Sequence, residues 1–260
     1  MIVITGSSRG IGQGLARSFL AMGHAVMICG RNADHLHTAL LSLQKEFDPK
    51  RIAAQPCDVT DHASVQALWM AAVQSFGRVD IWINNAGLSH PEKPFWEQSP
   101  ETIQAVTDTN IRGTMNGAKV AISGMLAQGG GHLFNMWGLG SNGMMVKGFT
   151  LYGTTKYAMT YFTKALVKEV KGTSVRVGSI SPGMVATDLL IGDYKNNPER
   201  FAKMKRIFNI LADEVSTVTP WLARQVLQST HNGARIAWLS KGKIVYRFLS
   251  APFVKRKIIP

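Results

Sequence analysis

"MIVITGSSRGIG", residues 1–12, runs a short apolar stretch straight into a glycine-rich turn that opens an amphipathic segment. Glycines at 6, 10 and 12 let the backbone turn tightly and approach a pyrophosphate, which the positive end of the following helix attracts. An ordinary tight turn between strand and helix can read the same way, so the weight comes from the flanking elements. Gly6, Ser8, Arg9, Gly10, Ile11 and Gly12 are the candidate phosphate contacts.

Outward from this turn, short apolar runs alternate with helix-length amphipathic segments. Strands are expected at 1–5, 25–29, 51–55, 79–83, 131–136, 174–180 and 235–239. Helices are expected at 10–22, 33–47, 61–76, 100–127, 152–171, 198–210 and 217–230. Near-continuous apolar strands separated by helices imply α/β architecture: a doubly wound parallel sheet covered on both faces. One domain over 1–260 suits this length, with 184–215 as an excursion over the substrate site and 241–260 as a basic C-terminal tail.

The second turn decides cofactor choice. "ICGRN", residues 28–32, has no acid to hold a ribose hydroxyl pair, whereas Arg9 and Arg31 can bind a 2′-phosphate, which favours NADPH/NADP+. Solvated arginines are the plain alternative. Apolar content of 45% argues for a soluble globular protein. Cys29 and Cys57 show no metal spacing and read as reduced core residues of a reducing compartment. No run reaches the ~18 apolar residues of a membrane span. No signal or transit peptide is visible, so a cytoplasmic location is expected. The net charge of +13 is concentrated late: no Asp or Glu follows Glu214. That end is a solvated basic face or a surface for a membrane or acidic protein; no nucleic-acid module or stacking platform accompanies it.

The chemistry sits in "FNMWGLGSNGMMVKGFTLYGTTK", residues 134–156, where Tyr152 and Lys156 share one helix face a turn apart. A lysine ammonium near a phenol is expected to lower the phenol pKa. No HExxH or Cys/His cluster suggests a metal.

"TGSSRGIG", "CDVTD" (57–61), "NNAG" (84–87), Asn110 in "TNIRG", "YGTTK" (152–156) and "SPGMVATD" (181–188) together resemble the short-chain dehydrogenase/reductases, in that family's order. The resemblance implies a Rossmann-like, seven-stranded parallel sheet. It also implies that Asp58 and Val59 face the adenine, that Asn84, Ala86 and Gly87 line the cofactor cleft, and that Asn110 holds a water in a proton relay with Lys156. Tyr152 would be the acid/base, Lys156 would tune it and hold the ribose, and Pro182, Gly183, Val185 and Thr187 would meet the nicotinamide. Assembly as a homodimer or homotetramer is implied in the same way.

One departure stands out. With "GHLFNMW" (131–137) as the fifth strand, Gly138 or Leu139 falls where the family carries a catalytic serine, and the first hydroxyl is Ser141. Residues 134–141, 152–156 and 181–190 resemble one subgroup there, the chlorophyll(ide) b reductases, which reduce a 7-formyl group to hydroxymethyl with NADPH. The substrate implied is large, flat and apolar. Gly138, Gly140 and Gly143 remove bulk beside the tyrosine, and Met136, Met144, Met145 and Met184 offer adaptable apolar surface or are plain core. Ser141 or Asn142 is expected to supply the missing hydrogen-bond donor. A non-catalytic NADP-binding regulator is the competing account, and another bulky carbonyl the competing substrate.

Overall fold

The computed structural model describes residues 1–192, 198–254 and 256–259. Seven strands form one parallel sheet: β1 (Ile2–Ile4), β2 (Val26–Gly30), β3 (Ile52–Pro56), β4 (Ile81–Asn84), β5 (Gly131–Met136), β6 (Val175–Ser181) and β7 (Arg235–Ala237). Their order is β3-β2-β1-β4-β5-β6-β7, so the direction of winding reverses between β1 and β4. The crevice outside the strand carboxyl ends at such a reversal is where doubly wound sheets bind ligands.

The helices divide between the faces according to their apolar stripes. Leu15, Phe19 and Leu20 of α1 (Gly10–Ala21), Leu36 and Leu43 of α2 (Ala33–Gln44) and Leu222 of α9 (Val215–Gln228) bury against one face. Val65 and Leu68 of α3 (His62–Phe76), Ala118 and Ala121 of α5 (Gly113–Ala127) and Leu166 of α6 (Thr150–Glu169) bury against the other. Local chemistry sets several helix starts. Asn32 Oδ1 accepts from His35 N–H at 2.8 Å, Asp61 accepts from Ala63 and Ser64, and Ser99 accepts from Thr102 one residue before Pro100.

The expected helix over 100–127 is divided. α4 (Pro100–Thr107) runs into a single wide π-turn, Asp108–Arg112, before α5. Asn110 sits in that turn, and such π-bulges often mark functional sites. In the excursion after β6, α7 (Asp188–Ile191) and α8 (Pro198–Leu211) are helical, and 193–197 lie outside the described residues.

The expected basic tail is instead structured over its described part. α10 (Lys241–Ser250) packs on α8, and Ile259 is buried with Phe208 and Ala212. Asp213 organises this region: it accepts hydrogen bonds from Trp238 Nε1 (2.6 Å), Arg247 (2.9 Å) and Arg256 (2.5 Å). Its backbone bridges the 184–186 segment, through Asp213 N to Met184 O and Ala186 N to Asp213 O. Burial alone would raise its pKa. The bonds from Trp238 and Arg247, with the charges of Arg247 and Arg256, hold it below the usual carboxylate range. Among the described residues no helix is long and apolar enough to cross a membrane.

Candidate active site

The turn after β1 carries no side-chain cap for α1: Arg9 occupies the N-cap without a side-chain hydrogen bond, and the first turn contains no acid. The helix N-terminus is thereby left to face an anion. Gly6 adopts φ +62° and a Cβ there would stand 2.8 Å from Ala86 Cα, so the phosphate turn packs directly on the loop after β4. Gly10, at φ +58°, faces Thr187 across the crevice, 3.6 Å from a built Cβ to its methyl. Arg9 and Arg31 are exposed and hold no ion pair with any described residue, and Arg31 lines a cleft with Thr60, Glu101, Gln104, Asp108 and Thr109. The uncapped helix end and the glycine turn fit a nicotinamide dinucleotide.

Several expected contacts are placed differently. Asn84 does not face the cleft: it is buried, accepts from Trp82 Nε1 at 2.8 Å, and donates to Thr114 O and Asn135 Oδ1. Its neighbour Asn85 holds the turn instead, donating through Nδ2 to Thr5 O and Gly6 O, a role the sequence reading missed. Asp58 Oδ1 is occupied by Thr60 N–H and Oγ1–H, while Val59 is buried beneath Gly113. Gly87 lies at the centre, where a Cβ would be 3.3 Å from Asn110 Oδ1 and 3.6 Å from Lys156 Nζ. Pro182 is buried, Gly183 at φ +75° packs on Leu239, and Val185 is buried where its backbone pairs with Asp213.

Tyr152 and Lys156 are both buried on α6, the ammonium 5.5 Å from the phenol ring centroid. Neither the phenol oxygen nor the ammonium has a hydrogen bond to a described residue; the contact between the two side chains is the ammonium over the phenol ring. The expected lowering of the tyrosine pKa is reversed: desolvation pushes Tyr152 up to about 12 and Lys156 down to about 8. In the low-dielectric crevice, burial outweighs their mutual attraction.

Asn110 is fully engaged. Its Oδ1 accepts from Leu88 N–H at 2.8 Å, and Nδ2 donates to Leu88 O and Thr155 Oγ1. The side chain therefore ties the loop after β4 to α6, and only its backbone carbonyl, which accepts from Thr114 Oγ1, faces other bonding.

Ser141 is not aimed at Tyr152. Its hydroxyl accepts from Gly138 N–H at 3.0 Å and donates to Lys156 O at 3.3 Å, while Asn142 Oδ1 accepts from Met144 N–H. The serine fastens the loop to α6. Gly140, at φ +93°, lies against Gly153, 2.7 Å from a built Cβ to the Gly153 Cα, so a side chain there would meet α6. Gly138 does border the phenol: a Cβ would lie 2.7 Å from Tyr152 Oη and 3.3 Å from Lys156 Cε. Met144 is half exposed at the rim, and Met184 packs with Phe208 and Ile259.

His90 was not singled out by the sequence. It is 2% exposed, and its Nε2 accepts the backbone N–H of Tyr152 at 3.1 Å. Nδ1 therefore carries the proton and donates to Pro91 O at 2.8 Å, an oxygen that Gln98 Nε2 also binds. Phe149, the residue at the N-cap of α6, makes no side-chain cap, so this histidine caps the first turn of the helix carrying Tyr152.

Chlorophyll(ide) b reductase NOL of Arabidopsis thaliana is 38% identical over 230 residues, 86% of this chain and 64% of that protein. Probable chlorophyll(ide) b reductase NYC1 of the same plant is 31% identical over 266 residues, 96% of this chain and 52% of that protein. The chain thus spans between half and two thirds of these relatives' length. Both are described as chloroplastic, whereas the sequence reading expected a cytoplasmic protein. Among solved structures, the closed form of serine dehydrogenase complexed with NADP+ superposes with a TM-score of 0.76 at 25% identity, covering 91% of this chain and 94% of that one. A gluconate 5-dehydrogenase from Burkholderia cenocepacia shares the fold with a TM-score of 0.78, covering 94% of each chain. The family model described as short chain dehydrogenase matches residues 1–197. The chain belongs to the short-chain dehydrogenase family of oxidoreductases.

Proposed function

We propose that the protein is an NADPH-dependent carbonyl reductase acting on a large, flat, apolar carbonyl compound of the chlorophyll(ide) b type, converting a formyl group to hydroxymethyl. The observation that carries this reading is the buried Tyr152–Lys156 pair beside Gly138, at the carboxyl end of the sheet. Similarity to the two plant reductases supports the substrate class.

A reduced nicotinamide held in this crevice would supply the hydride for the carbonyl carbon. The chain's own part is proton management and orientation. With its pKa pushed to about 12, Tyr152 keeps its proton at neutral pH and can give it to the carbonyl oxygen. Lys156, pushed to about 8, stays largely cationic there and stabilises the phenolate left behind. The Asn110 backbone carbonyl, which already accepts from Thr114 Oγ1, would hold a water in a proton relay with Lys156. The glycine turn, Ala86, Gly87, Pro182, Gly183, Val185 and Thr187 would hold the dinucleotide, with Arg9 and Arg31 on the 2′-phosphate. Tyr152 alone polarises the carbonyl oxygen; the donor absent at Gly138 costs about 3 kcal/mol of transition-state stabilisation and leaves room for a broad ring.

Fluorescence titration with both cofactors tests the nucleotide assignment. NADPH should bind at least ~10-fold more tightly than NADH, about 1.4 kcal/mol. Equal affinities would remove Arg9 and Arg31 from the account.

A further inference from the structure

We propose that the carboxyl end of the sheet, the end that opens on Tyr152, docks on an anionic lipid surface. The loops following β4, β5 and β6, and α10 following β7, all project from that end. Each of them exposes large apolar side chains: Trp96 is 84% exposed, Met145 95%, Leu189 49%, Tyr246 68%, Leu249 71% and Phe253 87%. Large apolar side chains are exposed elsewhere too, among them Met70 (66%) on α3 and Tyr161 (77%) on α6, but at this end they come from four successive connections of the sheet.

α10 carries the argument furthest, because its polarity is inverted. Arg247 turns inward, its side chain 11% exposed and paired with Asp213, while Val245, Tyr246, Phe248 and Leu249 turn outward. A helix packed for water places its apolar stripe on the core and its charges outside. Here the outer face suits an apolar medium.

Charge selects the occupant. Lys93, Lys147, Lys241 and Lys257 are exposed on the same segments, and no acid follows Glu214. Lysines interleaved with Trp and Tyr match the headgroup region of an anionic bilayer, where aromatic rings sit at the interface and cations meet phosphates. A second copy of this chain docked through the same face would bring one lysine-bearing surface against another of like charge. Docking in this orientation would present the crevice to a substrate dissolved in lipid. The proposal itself does not depend on the proposed substrate, since binding is measured without turnover.

The test is co-sedimentation of the full chain with phosphatidylcholine vesicles, with and without phosphatidylglycerol. Binding should require the anionic lipid and weaken as salt rises. A Leu249→Ser, Phe253→Ser double variant should bind about 10-fold or more weakly, as should Trp96→Ser to a smaller degree. All three positions are exposed, and an unchanged Tm would show that the variants fold. Equal binding to neutral vesicles, no binding, or wild-type binding by the double variant would overturn the proposal. So would a concentration-dependent dimer, seen by gel filtration, that the same substitutions abolish.

Discussion

A methyl group at position 138 would stand 2.7 Å from Tyr152 Oη, inside contact distance, so one of the two must move. Gly138→Ala should therefore lower kcat by about 10- to 100-fold, because displacing the reacting phenol by under 1 Å is enough to spoil alignment. NADPH affinity should stay within about three-fold, since the glycine turn is untouched. Steady-state kinetics alongside a cofactor titration checks both, and an alanine variant with normal kcat would show that the phenol does not depend on that space. The tyrosine-lysine spacing was legible in the sequence because a helix alone puts the two on one face. The fate of Ser141 was not legible. Order along the chain made it the first available hydroxyl, but its bonds to Gly138 N–H and Lys156 O depend on how the loop folds back on α6.

At the scale of elements, α6 is positioned from outside its own sequence. His90, on the loop after β4, accepts the Tyr152 N–H, and Asn110, in the π-turn, binds Thr155. His90→Ala leaves a buried N–H without a partner, a cost of about 1–3 kcal/mol. We expect Tm to fall by about 3–8 °C and kcat to drop more than KM rises, because the first turn carrying the phenol loosens. His90→Asn, which keeps a hydrogen-bond acceptor, should recover part of the kcat. Unchanged kcat in the alanine variant would reduce His90 to a fold-stabilising residue. The sequence indicated the helix over 100–127 but not its interruption, since helical periodicity alone does not reveal a π-turn whose Asn110 side chain is bonded to Leu88 and Thr155.

For the whole molecule, the seven strands were legible because each is a short apolar run between amphipathic segments, and parallel pairing follows from the intervening helices. The closing of the C-terminal region was not legible. Asp213 gathers Trp238, Arg247 and Arg256, residues 25, 34 and 43 positions later, and no local pattern announces such a hub. Asp213→Asn would leave two arginines without their countercharge, and Tm should fall by about 5 °C or more. The sign of the pH dependence follows from the lowered pKa of Asp213. Its stabilisation is present above the ordinary carboxylate range and is lost as pH falls through the lowered value. The Tm advantage of wild type over the asparagine variant should therefore shrink below about pH 4. Thermal melts of both proteins across acidic pH check this, and a constant difference would mean that the ion pairs are not the source.

The central claim is that Tyr152 delivers the proton in NADPH-dependent reduction of a formyl group on a broad apolar ring. Anaerobic incubation of the purified protein with NADPH and chlorophyllide b, followed by absorbance, tests it most directly, with Tyr152→Phe run in parallel. The account predicts conversion of the formyl chromophore to the hydroxymethyl form with matched oxidation of NADPH by wild type. The phenylalanine variant should bind NADPH within a few-fold of wild type and convert nothing. A wild-type protein that binds NADPH yet leaves the formyl group unreduced would contradict the account, as would a phenylalanine variant that turns over at the wild-type rate.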